Sequence, residues 1–404
     1  MNPSLNDLQP YAFQRLNDLL KGVQPNSGLS PIRLYIGEPK HPTPQFIRDA
    51  LSAGLDGLAL YPSTLGESSL RKVIAGWMEK RYGLPGVDYR TQIIPVNGSR
   101  EALFGLAQAV VDRTRPDPVV VMPNPFYQIY EGAALLAGAR PEFFNTTAEG
   151  GFATAEGAFA LNPGQISDSV WARTQLTYVC SPGNPTGAVM TLADWRQLFR
   201  LSDRYGFVIA SDECYSEIYF DEGSAPLGGM QAARALGRDG FPRLVMLSSL
   251  SKRSNSPGLR SGFVAGDAAV LKPYLLYRTY QGGAMPPANF AASLAAWQDE
   301  AHVVENRRLY KEKFDAVLEV LGDAVPARRP QAAFYLWLPT PIADTEFARR
   351  FHAEYNVSVL PGSYLARTAR GVNPGENYVR IALVASTAEC VEAAQRLRDF
   401  YKGL

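Results

Sequence analysis

Between residues 93 and 265 the chain alternates short apolar runs with stretches in which apolar side chains recur every three or four positions. Residues 93–96, 119–122, 176–180, 207–210 and 244–247 read as buried strands. Helix-period segments separate them, such as residues 101–110 with Leu103, Leu106, Ala107 and Val110 on one face. That alternation predicts a mostly parallel sheet covered by crossover helices. A sixth run, residues 262–265, follows Arg260 too closely for a crossover and predicts an antiparallel neighbour. Ahead of this region lies one short amphipathic stretch, residues 11–20, and then a Gly/Pro/Ser-rich segment, residues 22–31, which together read as an arm. Beyond about residue 290 the pattern changes to long amphipathic helices, such as residues 302–321. Short strands follow around 333–338 and 378–383, as expected of a smaller α+β unit.

With 404 residues the chain exceeds a usual single core, which predicts two domains. The expected division is 1–45 as an arm joined to the small domain, 46–288 as the large domain and 289–404 as the small one. Hydrophobic residues at 46% and charged residues at 20% suit an ordinary folded chain. The 40 basic and 39 acidic side chains leave a net charge of +1, so no global field draws the chain to nucleic acid or an anionic membrane. Any anion must be recognised locally. Cys180, Cys214 and Cys390 are widely spaced and outside any C-x-x-C pattern, which predicts neither a disulfide framework nor a metal site. No apolar run approaches the ~18 residues that span a bilayer, and the first ten residues are polar, so the expected location is the cytoplasm.

A polar or Gly/Pro cluster follows each of the five strands, and ligands of open α/β sheets bind beyond the carboxyl ends of strands. Ser249-Leu250-Ser251-Lys252, followed by Pro257-Gly258-Leu259-Arg260, places a lysine at such an end. Imine formation needs a neutral amine, so desolvation and nearby cations must lower its pKa; Arg253 and Arg260 are candidates for that charge. A solvated surface lysine is the competing reading. Asp212 ends another strand, where a buried carboxylate needs a partner such as a pyridinium nitrogen, and Tyr215 follows within reach of a ring oxygen. A helix cap and a core tyrosine are the alternatives.

Asn97-Gly98-Ser99-Arg100 joins a strand to a helix, where exposed amides bind phosphate well; a plain N-cap is equally compatible. Ser181-Pro182-Gly183-Asn184-Pro185-Thr186-Gly187 positions the Asn184 amide, unless it is an Asn-Pro turn with no ligand. Tyr127 could stack on a flat ring or lie in the core. Arg380 interrupts an apolar strand and requires an anion, either a substrate carboxylate or an internal acid.

In this order, these residues resemble the class I and II aminotransferases of fold type I, pyridoxal-phosphate enzymes of α/β class, over about residues 36–383. The resemblance implies that Lys252 is the Schiff-base lysine and Asp212 the partner of the pyridine nitrogen of pyridoxal 5′-phosphate. Tyr215 and Asn184 would meet the ring oxygen, and Tyr127 would stack. Gly98, Ser99, Arg100, Ser249, Ser251 and Arg260 look like a phosphate cup, although many relatives carry a smaller residue at the position of Arg100. Tyr61, in Tyr61-Pro62-Ser63-Thr64-Leu65-Gly66, matches a tyrosine that reaches the neighbouring subunit's phosphate, which implies a homodimer with shared sites. Gly37 and Arg380 match the binders of the substrate carboxylate. For a second substrate carboxylate, Arg253 and Arg278 are the candidates.

Leu8-Gln9-Pro10-Tyr11, Ile36-Gly37-Glu38-Pro39-Lys40-His41 and the Tyr61 segment are most similar to proteobacterial N-succinyldiaminopimelate aminotransferases. These exchange the amino group of N-succinyl-LL-2,6-diaminopimelate with 2-oxoglutarate in lysine biosynthesis. The rivals are an aspartate or aromatic aminotransferase, a carbon–sulfur β-lyase, and, as a different class, a non-catalytic pyridoxal-phosphate-binding regulator, for whose extra module the chain has no room.

Overall fold

The continuous apolar runs become strands because both faces of one sheet are covered. The computed structural model describes residues 1–146 and 163–404. Its strands are β1 (Ile32–Arg33), β2 (Ile93–Val96), β3 (Val119–Asn124), β4 (Arg140–Asn145), β5 (Thr174–Cys180), β6 (Val208–Asp212), β7 (Leu244–Ser249), β8 (Gly262–Gly266), β9 (Tyr335–Pro339), β10 (Val357–Ser358), β11 (Leu360–Pro361) and β12 (Tyr378–Ala382). Seven form the large sheet in the order β2-β8-β7-β6-β5-β3-β4. β8 runs antiparallel to both neighbours, as its short connection from β7 requires, and the other pairings are parallel.

Side chains alternate between the sheet faces. Val119, Val121, Leu244 and Met246 join one core with Ile74, Trp77, Trp195 and Met230 from the helices on that side. Val120, Met122, Val245 and Leu247 join the other, against Leu103, Leu106, Tyr130 and Tyr274. Burial on both faces explains why these strands read as unbroken apolar runs. β4 was not foreseen. It begins Arg140-Pro141-Glu142 and lies at the sheet edge beside β3 alone, where proline and charge are tolerated.

A third core is built around β9, β11 and β12, with Tyr310, Phe314, Val317 and Leu321 of helix Ala301–Leu321 and Leu397 and Phe400 of helix Thr387–Lys402. The helix Pro287–Gln298 packs Ala292, Ala296 and Trp297 into the core that holds Trp77, so the change of core falls at Asp299–Glu300, after the expected boundary at 288/289. Ile32 and Arg33 pair in parallel with Val357 and Ser358, which ties the segment after the arm to this smaller core. Among the described residues no helix is long and apolar enough to cross a membrane, and no cluster of three or more His, Cys, Asp or Glu is placed to hold a metal ion.

Candidate active site

The carboxyl ends of β2, β5, β6 and β7 open into one cavity of about 480 Å³. Asp212 is the last residue of β6 and Cys180 the last of β5. Ser99 starts the helix after β2, and Lys252 lies just beyond β7. Lys252 does not end the strand. Ser249 Oγ accepts from Ser251 N at 3.1 Å and caps a single helical turn, Leu250–Arg253, that carries the lysine.

The cavity gathers Gly37, Ser99, Arg100, Tyr127, Asn184, Asp212, Tyr215, Ser251, Lys252, Arg260 and Arg380 from the expected set. Two more support the wall. Gly98 has a positive φ of 91°, which favours glycine, and a Cβ there would also displace the Arg260 guanidinium. Ser249 Oγ donates to Ser261 O at 3.0 Å and also lies 2.9 Å from Ser251 Oγ. Tyr61 stands apart from the cavity, fully exposed at 104% of its reference area, with Leu55, Leu58 and Leu60 exposed beside it.

Lys252 Nζ donates to Gly37 O at 2.5 Å. Burial pulls its pKa down from 10.5 to about 8; Arg380 and Arg100 push the same way, while Cys214 and Glu38 oppose them. Neither Arg253 nor Arg260 is among the largest of these influences. Arg253 is the next residue on the turn and points about 100° away. It packs its guanidinium 4.6 Å from the centre of the Trp297 ring and pairs with Glu300. Arg278 is also turned from the cavity, donating to Pro95 O at 2.7 Å and facing Glu101. Both expected candidates for a second substrate carboxylate are thus engaged elsewhere.

Asp212 is 4% exposed, and burial raises its pKa against the hydrogen bonds that lower it. Tyr130 Oη donates to Oδ2 at 2.7 Å and Cys214 N to Oδ1 at 3.3 Å. These donors are neutral, and among the described residues Asp212 has no cationic partner. Across the cavity, Arg380 is 3% exposed and donates to Asn184 Oδ1 at 2.9 Å and Tyr35 O at 2.8 Å, and its Nε has no partner among the described residues. The Tyr215 and Tyr335 hydroxyls meet at 2.7 Å, and Arg100 Nε donates to Tyr127 Oη at 2.8 Å.

The lining therefore contains four basic side chains, Arg100, Lys252, Arg260 and Arg380, against two acidic ones, Glu38 and Asp212. Among the described residues none of the four basic groups lies in an ion pair with a carboxylate. Such a cavity suits a ligand bearing several negative charges and one cationic atom to meet Asp212. Pyridoxal 5′-phosphate with a carboxylate substrate has that distribution, so the residues present fit it.

Sequence reasoning missed Tyr130 and Tyr335, because aromatic side chains inside apolar patterns usually signify core; only their hydroxyls, which need partners, mark them. It also missed the part played by the N-terminal stretch. Tyr11, Ala12 and Phe13 form part of the cavity wall, fixed by Ala12 N donating to the buried Gln128 Oε1 at 2.8 Å.

The family described as Aminotransferase class I and II matches residues 30–397. The LL-diaminopimelate aminotransferase of Desulforudis audaxviator is 31% identical over 402 residues, 98% of this chain and 96% of that one. Among solved structures, an aminotransferase from Neisseria meningitidis is 51% identical with a TM-score of 0.94, covering 99% of this chain and 100% of its own. A probable N-succinyldiaminopimelate aminotransferase from Thermus thermophilus is 26% identical with a TM-score of 0.81, covering 96% and 99% respectively. With its sheet order, its cavity at the strand ends and this match along nearly its whole length, the chain belongs to the class I and II aminotransferases.

Proposed function

We propose that the chain binds pyridoxal 5′-phosphate and moves the amino group of N-succinyl-LL-2,6-diaminopimelate to 2-oxoglutarate. The observation that carries this reading is one cavity holding a lysine amine with a pKa of about 8 and, among the described residues, a buried carboxylate without a cationic partner and three arginines without carboxylate partners. Lys252 Nζ is the amine that would hold the cofactor, and once freed it would take the proton from the substrate Cα. The cofactor, when bound, supplies the electron sink for that carbon. Asp212 holds positive charge on the ring nitrogen, and Arg380 grips the substrate α-carboxylate through charge-assisted hydrogen bonds. Asn184 and Tyr215 would donate to the ring oxygen, Tyr127 would cover the ring, and Ser99, Arg100, Ser251 and Arg260, backed by Gly98 and Ser249, would form the phosphate cup.

The donor assignment is supported by the segments around Tyr11, His41 and Tyr61 and by the basic excess of the lining, which suits a substrate with more than one carboxylate. Unacylated LL-diaminopimelate is the second reading, favoured by the name of the D. audaxviator relative. The exposed Tyr61 and its apolar neighbours support a homodimer in which Tyr61 completes the partner's phosphate cup. The deciding experiment follows glutamate formation from 2-oxoglutarate with each donor in turn. The expected result is a kcat/KM for the succinylated donor at least about tenfold above those for LL-diaminopimelate, aspartate and aromatic acids, or ~1.4 kcal/mol at the transition state. Preference for the free diamine overturns the acylated assignment, and turnover independent of any oxo acid overturns transamination.

A further inference from the structure

Lys313 is fully buried, and among the described residues it has no carboxylate partner. It sits mid-way along helix Ala301–Leu321, on the face that also presents Asn306 and Tyr310. Its Nζ lies 3.0 Å from His41 Nε2, and His41 Nδ1 lies 2.9 Å from Asn306 Oδ1. A lysine ammonium can only donate, and Asn306 Oδ1, which also receives Asn255 Nδ2 at 3.1 Å, can only accept. Both contacts are satisfied by one species alone, the neutral imidazole with its proton on Nδ1. A protonated ring would lose the acceptor for Lys313 and bring two cations together away from water.

Three lines lead from His41 to Lys252. Asn306 Nδ2 donates to the backbone oxygen of Lys252 at 3.3 Å. His41 packs on Tyr310 with ring centres 4.7 Å apart, Tyr310 stacks on Phe334 at 5.5 Å, and Lys252 Nζ lies 5.6 Å above the Phe334 ring. Finally, His41 shares its segment with Gly37, whose carbonyl receives Lys252 Nζ, and Thr43 Oγ1 on the same segment donates to Asn255 O at 2.7 Å. We propose that His41, seated neutral between Lys313 and Asn306, is a positioning residue for Lys252, and that protonating it loosens the Lys252 turn from the 37–43 segment.

Burial and the Lys313 charge lower the His41 pKa below 6.5, while Asn306 and Glu305 pull it upward. On the far side, Cys390 and Glu389 of helix Thr387–Lys402 face Lys313, whose own pKa burial lowers, and Lys40 acts on Glu389. The seat therefore holds its neutral form at physiological pH and gives way on the acid side. The importance of this seat for turnover rests on the role proposed for Lys252, but the coupling itself is a property of the folded chain.

Amide hydrogen exchange of the full chain, corrected for the intrinsic effect of pH, tests the coupling. Peptides covering residues 37–43 and 250–256 should exchange at least about threefold faster at pH 5 than at pH 7, the low end of what losing one buried hydrogen bond is worth. In His41→Gln, whose amide donates and accepts without titrating, and in Lys313→Met, which removes the second cation, that rise should shrink to less than about twofold. Thermal melts of each variant verify that the fold is intact. In the holoenzyme, His41→Gln should flatten the acid limb of kcat and leave KM unchanged. Equal acid-side loosening in the parent and both variants, or none in the parent, overturns the proposal. Exchange reads the same whichever amino donor the enzyme uses, so a failed donor assignment and a failed coupling are told apart.

Discussion

Replacing Lys252 by methionine should stabilise the cofactor-free protein at neutral pH. Holding this lysine at about 8 instead of 10.5 costs the folded chain roughly 3 kcal/mol wherever both states are protonated. The amine opens onto the cavity and gives Gly37 O a hydrogen bond, so about 1–2 kcal/mol of gain survives in the variant. For a chain of 404 residues that corresponds to a melting temperature about 2 °C higher. The sign follows from linkage: the folded pKa lies below the unfolded one, so the penalty is complete below pH 8, shrinks as pH rises through the interval to 10.5 and vanishes above it. Calorimetric melts of parent and variant at pH 7 and near pH 10.5, after removal of bound cofactor, supply the comparison. A variant no more stable than its parent at pH 7, or a gap that does not close at high pH, refutes the claim that the site stores destabilisation in its amine.

Asp212→Asn deletes the charge and leaves one acceptor oxygen where the carboxylate offers two to Tyr130 and Cys214, so turnover should fall at least ~100-fold, as expected for breaking the ion pair proposed with the ring nitrogen, with an unchanged circular dichroism spectrum. Arg380→Lys loses the planar fork, and kcat/KM for the amino donor should drop ~10- to ~100-fold in steady-state assays, the equivalent of one charge-assisted hydrogen bond. Gly98→Ala forces a side chain into the Arg260 guanidinium at a positive φ, and cofactor titration should show affinity weakened by at least about tenfold. Tyr61→Phe should leave the melting temperature within about 1 °C, because the residue is fully exposed in the single chain, while cofactor release quickens if the partner's phosphate uses its hydroxyl.

The central strands and the rim at which the candidate residues gather were legible because of how an α/β sheet is built. Strands buried on both faces write themselves as apolar runs, and the rim where they end is where polar clusters must gather. β4 escaped because an edge strand has one neighbour and accepts Arg140, Pro141 and Glu142. That Lys252 rides on a helical turn just past the strand follows from the Ser249 cap, which only the three-dimensional path of the chain distinguishes from a strand end. The error over Arg253 has the same root. Residues adjacent in sequence diverge once the backbone coils, and the charges that bear on Lys252 come from Arg100 and Arg380, distant in the chain. Long-range partners such as Tyr130 for Asp212 and Lys313 for His41 depend on tertiary geometry that no local period encodes.

The bond between Ala12 N and Gln128 Oε1 makes the start of the chain a piece of the reaction vessel. Starting the protein at residue 30, where the family match begins, would spare the cores on both sheet faces yet unroof the chamber, admitting bulk solvent where Tyr11 and Phe13 now stand. An affinity handle on this enzyme accordingly belongs after Leu404, and homologues trimmed at their leading end make poor guides to its substrate range.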